Sequence, residues 1–206
     1  TLAIKLLDEH NQLELTLYYA VFEQKDVITR AASLRNLSKE TLRIEKIASS
    51  SLDVPYGDWD LIHFHGRHEL ERRFERVPVA TTITKVASSR GSSSHHHNPF
   101  VILADKSTNE FQGDSYGVML AYSGNHSIEV EKDQAGLVRI VSGINSELFS
   151  WQLGPNEDFI APETIFSFSQ DGLNGLSQNY HKFINKNVMR GEWRDKERPV
   201  LINNWE

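Results

Sequence analysis

An antiparallel β-sandwich closed by one C-terminal helix is the fold class that this sequence predicts. Three observations carry it. Apolar residues alternate with period two through the first half, turn residues recur at short intervals, and helical spacing occurs in one segment near the C-terminal end. Leu13, Leu15, Leu17, Tyr19 and Val21, set against Glu14, Thr16, Tyr18, Ala20 and Phe22, mark a strand with two unlike faces. The run from Leu2 to Leu7 joins it through the polar Asp8-Glu9-His10-Asn11 as a hairpin, and Val27 to Leu37 and Leu42 to Leu52 continue the pattern. Breaks follow at Pro55-Tyr56-Gly57, Gly91, Asn98-Pro99, Gly113, Ser123-Gly124-Asn125, Gln134-Ala135-Gly136 and Gly154-Pro155. Between them lie the short apolar runs Phe100 to Leu103, Gly117 to Tyr122, Leu137 to Val141 and Leu148 to Leu153. Strands at such spacing with no helical pattern between them predict a sandwich.

Leu176, Tyr180, Phe183, Ile184 and Val188 share one helical face while Gln178, Asn179, Lys182 and Lys186 lie off it. This predicts one amphipathic helix of about fifteen residues, with Asn174 or Ser177 as its cap and Gly191 as its stop. After Arg198-Pro199, the run from Val200 to Asn203 reads as a buried strand, so that helix and strand together look like the start of an α/β element. Thr1 opens inside what reads as a strand, and the chain therefore reads as a piece of a longer polypeptide.

Composition narrows the function classes. With Lys+Arg 22 against Asp+Glu 28 in 206 residues, the net charge is −6, which argues against a nucleic-acid partner. No apolar run reaches the roughly 18 residues that a membrane-spanning helix needs. The absence of cysteine excludes disulfides, thiolate chemistry and zinc ribbons, and the length suffices for one substantial core.

Several constellations could carry chemistry. His63-Phe64-His65-Gly66-Arg67-His68 has an H-x-H-x-x-H spacing, and imidazoles two apart on a strand point to one side where both could reach a metal. Arg67 opposes this reading, because a cation there repels a metal. The alternative is a strand whose one face is Trp59, Leu61, His63 and His65 and whose other is Ile62 and Phe64. The triple His95-His96-His97 beside Ser92, Ser93 and Ser94 invites a metal or a Ser/His nucleophile, but three consecutive imidazoles cannot converge on one ion in regular backbone. Neither G-x-S-x-G nor H-E-x-x-H occurs. The carboxylate pairs Asp58/Asp60, Glu69/Glu71 and Glu157/Asp158 are available to a glycosidase mechanism, which needs two carboxyl groups ~5 to 10 Å apart. Glu69, Glu71 and Glu75, however, interleave with Arg67, Arg72, Arg73 and Arg76, as on the salt-bridged solvent face of a strand. The sequons Asn36-Leu37-Ser38 and Asn125-His126-Ser127 carry no weight.

An ordered series of motifs narrows the reading further. Tyr56-Gly57 with Trp59-Asp60-Leu61 and Phe64-His65-Gly66 come first. They are followed by Ser89-Arg90-Gly91-Ser92-Ser93-Ser94-His95 with Asn98-Pro99-Phe100, and by Tyr122-Ser123-Gly124-Asn125-His126. Phe149-Ser150-Trp151-Gln152-Leu153, Ala161-Pro162-Glu163 and Arg198-Pro199-Val200-Leu201-Ile202-Asn203-Asn204-Trp205-Glu206 complete it. This series resembles the N-terminal region of the bacterial α-galactosidases of glycoside hydrolase family 36, nearly end to end. The resemblance implies a mainly β chain: a β-supersandwich of the galactose-mutarotase kind over residues 1–173, N-terminally incomplete, then a linker helix over 174–197. Residues 198–206 would start the first strand of a catalytic (β/α)8 barrel. The family's nucleophile and acid/base aspartates fall on later barrel strands, beyond Glu206, so the resemblance implies no catalytic residue, metal or cofactor here. Trp205, at the end of that first barrel strand, is the residue expected to border the sugar site, or else to pack at the domain junction.

The function expected is therefore that of a non-catalytic domain of a retaining α-galactosidase acting on terminal α-D-galactosyl residues of raffinose- or melibiose-type sugars. It would brace the protein's own barrel and support homo-oligomer contacts, in the cytoplasm. Two alternatives stay open. A free-standing aldose epimerase on the same fold needs His65, His95 or His181 in a groove beside a carboxylate, and a carbohydrate-binding module needs sugar affinity without the barrel.

Overall fold

The computed structural model describes residues 1–204. Fifteen strands and one α-helix follow in chain order: β1 (Leu2–Asp8), β2 (Leu13–Phe22), β3 (Val27–Asn36), β4 (Leu42–Ile44), β5 (Ala48–Val54), β6 (Trp59–His65), β7 (Arg73–Pro78) and β8 (Ile83–Ala87). Then come β9 (His97–Asp105), β10 (Ser115–Ala121), β11 (His126–Lys132), β12 (Val138–Ile144), β13 (Trp151–Leu153), β14 (Asp158–Ile160), β15 (Glu163–Ser169) and α1 (Gly172–Phe183). A nine-stranded sheet runs in the order β1-β2-β3-β15-β10-β9-β6-β7, with β14 also paired to β3; a second sheet runs β5-β12-β11-β8, and β13-β4 form a ribbon.

The architecture is three layers, and the sequence of β9 shows why. Its continuous run Val101-Ile102-Leu103-Ala104 is buried throughout because both faces of the large sheet are covered. Val101 and Leu103 join Trp59, Leu61, Val118, Ile128 and Ile140 in the core between the two sheets. Ile102 and Ala104 point the other way, into a second core with Val27, Ile62, Ile165 and the α1 residues Leu176, Tyr180 and Phe183. β2 by contrast alternates, and the hairpin that it forms with β1 turns as the sequence predicts. The Asp8 carboxylate accepts the backbone N–H groups of His10 and Asn11, each at 3.0 Å, which closes an Asx turn.

Gly117 has a definite reason. A Cβ there would lie 2.5 Å from the Tyr180 ring, and Tyr180 is held in place by a 3.0 Å hydrogen bond from its hydroxyl to the Ile165 carbonyl. Gly117→Ala is therefore expected to lower stability by about 1–3 kcal/mol, as overpacking does. An unchanged urea midpoint would show that the helix layer is looser than its packing implies.

The structure corrects four expectations. The stretch from Leu42 to Leu52 is two strands, β4 in the ribbon and β5 in the four-stranded sheet; alternation continues across the change of sheet and so does not reveal it. Within Leu148 to Leu153 the strand is confined to Trp151–Leu153, because Leu148 sits in a turn at φ 62° and is exposed. The helix starts at Gly172, with neither Asn174 nor Ser177 as cap. Its first-turn donors are taken by the 109–113 loop instead: Gly172 N–H by the Gly113 carbonyl at 3.2 Å, Leu173 N–H by Asn109 at 3.0 Å and Asn174 N–H by Glu110 at 2.9 Å. After Phe183 the helix widens into a π-turn over Ile184–Val188. Finally, Val200, Leu201 and Ile202 form no strand and are 93%, 89% and 85% exposed. Strand formation needs a neighbouring ladder, and none of the described residues supplies one there.

Candidate functional site

His63, His65 and His97 come together where β6 pairs with β9. His63 and His65 project from the same side of β6, with ring centroids 5.8 Å apart, as the alternation predicts. Glu75, opposite His63 on β7, approaches both: its Oε2 lies 3.2 Å from His65 Nε2 and 3.7 Å from His63 Nε2. His68 departs from the string, because Gly66 to Arg72 form the connection between β6 and β7, and its ring is solvent-exposed beside Glu69. Glu69 and Arg72 adopt φ 67° and 55°, so this segment is a turn and not the salt-bridged strand face that the charge pattern predicts. Among the described residues no three His, Asp or Glu side chains are arranged to hold a metal ion.

The triple histidine splits as well. His95 and His96 stack with centroids 4.6 Å apart, and Ser94 Oγ lies 3.1 Å from His96 Nδ1, a contact within one turn of chain. His97 begins β9 opposite His65. Burial lowers the pKa of His63, partly countered by Glu75, and it lowers that of His97, where the neighbouring His63, His65 and Arg90 act in the same direction. Both imidazoles therefore favour the neutral form at neutral pH.

One carboxylate of each of two other pairs is held structurally. Asp60 pairs with Arg76 at 2.7 Å, and Glu157 Oε2 accepts the Gly154 N–H at 2.8 Å. A groove of about 680 Å³ opens near the β2–β3 turn, lined among others by Phe22, Ile28, Tyr116, Phe166, Phe168 and Asn179. His65, His95 and His181 are absent from its lining. The His65–Glu75 pair thus exists, but away from that groove. Trp205 lies outside the described residues. Sequence reasoning passed over His126, which is fully buried at the start of β11. Its sequence signals are its place at the end of the Tyr122-Ser123-Gly124-Asn125-His126 motif and, as a polar residue, at the head of an alternating run.

This geometry defines a class: a β-sandwich domain with an appended helix. The glycosyl hydrolase family 36 N-terminal domain matches residues 1–154 and the melibiase family matches residues 158–206, and the chain belongs to glycosyl hydrolase family 36. It is 46% identical over 206 residues to the bifunctional alpha-galactosidase/sucrose kinase AgaSK of Mediterraneibacter gnavus, covering 100% of this chain and 22% of that protein. It is 45% identical to alpha-galactosidase AgaA of Geobacillus stearothermophilus, covering 100% of this chain and 28% of that protein. A crystal structure of an AgaA variant in complex with stachyose superposes with a TM-score of 0.95 at 44% identity, over 98% of this chain and 28% of that one. The chain thus spans about a quarter of the length of the relatives it matches.

Proposed function

We propose that this chain is the non-catalytic β-domain of an α-galactosidase that releases terminal α-D-galactosyl residues from raffinose- or melibiose-type sugars by retaining chemistry. The observation that carries the reading is the succession of two matches along one chain, the family's N-terminal domain followed without a long gap by the start of the melibiase family. Solved relatives in complex with stachyose and with raffinose support the substrate class. The exposed Val200, Leu201 and Ile202 suit a first barrel strand whose partners lie outside these residues. On this reading residues 1–173 form the sandwich, 174–197 the linking helix and 198–206 the beginning of the barrel. Trp205 would border the sugar, since aromatic faces stack on pyranose rings. Bracing of the barrel and homo-oligomer contacts in a cytoplasmic enzyme complete the proposal.

The test compares the 206-residue chain with the same chain continued into a barrel. The longer protein should hydrolyse a nitrophenyl α-galactoside and the 206-residue chain should not. Turnover by the short chain that disappears on Glu75→Gln would instead place chemistry at the histidine cluster. Calorimetric titration of the short chain with galactose addresses the binding-module alternative, for which heat at millimolar sugar is the required result.

A further inference from the structure

The loop from Ser88 to His96 lies against the turn that precedes β11, and the bonds between them are few and neutral. Gly91 N–H donates to Asn125 Oδ1 at 2.6 Å, Ser93 N–H to the Ser123 carbonyl at 2.8 Å, and Ser88 N–H to the His126 carbonyl at 2.9 Å. Those acceptors come from one short stretch, residues 123–126, and that stretch ends on a fully buried imidazole. Neither ring nitrogen of His126 has a protein hydrogen-bond partner. A polar ring without partners in a dry site is costly even when neutral, and far more so when charged.

What surrounds this ring makes its protonation unfavourable. His97 of β9 is close enough to act on it electrostatically, and beyond His97 stand His63 and His65 of β6 and Arg90 of the loop itself. His95 and His96 belong to the same loop. The acids are fewer: Glu75 of β7 serves His63 and His65, and Glu71 senses His68 and His95. The groups able to carry positive charge here thus outnumber the carboxylates that act on them.

We propose that this histidine seam is an acid-sensitive latch, in which proton uptake by His126 and His97 releases the Ser88–His96 loop from the 123–126 turn while both sheets stay folded. Opening lets water reach the buried ring and breaks the three bonds named above. The sign follows from linkage. Burial holds the His126 pKa below its ordinary value, opposed by the nearby Gly124 carbonyl, which falls short of hydrogen-bond geometry. The open form therefore binds the proton more tightly, so the closed form is fully stable above the ordinary imidazole pKa of about 6.5 and loses stability as pH falls below it.

Hydrogen exchange on the 206-residue chain tests this. With intrinsic rates corrected for pH, protection at Gly91 and Ser93 should fall about tenfold per pH unit below pH ~6.5 for each proton taken up. Amides of β9 and β10 should keep theirs. Protection that stays flat to about pH 5, or that is lost in one step with the sheet amides, overturns the proposal. His126→Phe should flatten the loop's pH response. His97→Gln, which removes one of the two sites of proton uptake, should make the fall in protection shallower and carries the test alone if His126→Phe does not fold. An unchanged profile in His97→Gln also overturns it.

Discussion

Arg76→Leu should destabilise the protein by about 2–4 kcal/mol, because it strips the part-buried Asp60 carboxylate of its paired cation and removes a donor from each of three carbonyls. The guanidinium donates through Nε to Asp60 Oδ2 at 2.7 Å, through Nη1 to the Thr108 carbonyl at 2.7 Å, and through Nη2 to the Asp105 and Lys106 carbonyls at 2.9 and 3.1 Å. A side chain on the edge strand β7 thereby reaches across β6 and ties down the loop between β9 and β10, the loop whose carbonyls cap α1. The Asp60 side chain is 12% exposed and that of Arg76 25%, so water can replace part of what is lost, and the figure sits below that for breaking a fully buried pair. Arg76→Lys keeps the charge but cannot span a carboxylate and three carbonyls in one plane, so it should fall between the two. The double variant Asp60→Leu with Arg76→Leu should recover part of the loss, since no unpaired charge then remains. Urea midpoints followed by tryptophan fluorescence measure all three. A midpoint for Arg76→Leu within error of the parent would mean that the clamp contributes nothing.

The same pair shows where reading the sequence alone succeeds and where it stops. The charge pattern from Arg67 to Arg76 predicts ion pairs along a strand face, yet Arg76 selects Asp60 on the neighbouring strand and three backbone oxygens. Choice of partner is a long-range property that spacing does not encode. Alternation in β2 and the short apolar run from Phe100 to Leu103 gave strands correctly, because side-chain period and apolar runs are local consequences of the sheet, whereas the helix layer that covers the second face of β9 did not show in them. β11 and the second half of β15 alternate as well, with Ile128 and Val130 against Glu129 and Glu131, and Phe166 and Phe168 against Ser167 and Ser169; the same period would have found them. The start of α1 could not be found this way, since its first donors are satisfied by a loop some sixty residues earlier. The run from Val200 to Ile202 errs in the other direction, being apolar without a partner among the described residues. As for the histidines, H-x-H gave the shared side of His63 and His65, while the position of Glu75 opposite them required the register of β6 with β7.

Asn36 carries the second large prediction, and comparison with Asn125 isolates its cause, since both stand in sequons that look alike. Asn36 is fully buried, and its Nδ2 faces the carbonyls of Glu40, Leu153 and Gly154 at 2.7, 3.0 and 3.1 Å. Its Oδ1 accepts from the backbone N–H and the hydroxyl of Ser38 at 2.9 and 2.7 Å. One amide thus joins the end of β3, the following turn and the link between β13 and β14. Asn36→Leu should cost about 3–4 kcal/mol, the sum of several buried groups left without partners. Asn125→Ala should cost only about 1 kcal/mol, because its Oδ1 accepts a single bond, from the exposed Gly91 N–H. Asn36→Asp separates donation from shape. At neutral pH it sets a carboxylate against three carbonyl oxygens, so the variant's aspartate pKa is raised in the folded state, and stability must rise as pH falls and the acid becomes a donor. Urea midpoints for Asn36→Asp at about pH 7 and pH 5 should therefore move upward with acid relative to Asn36→Leu. Parallel pH responses in the two variants would show that the amide's donor side does not bear the load assigned to it here.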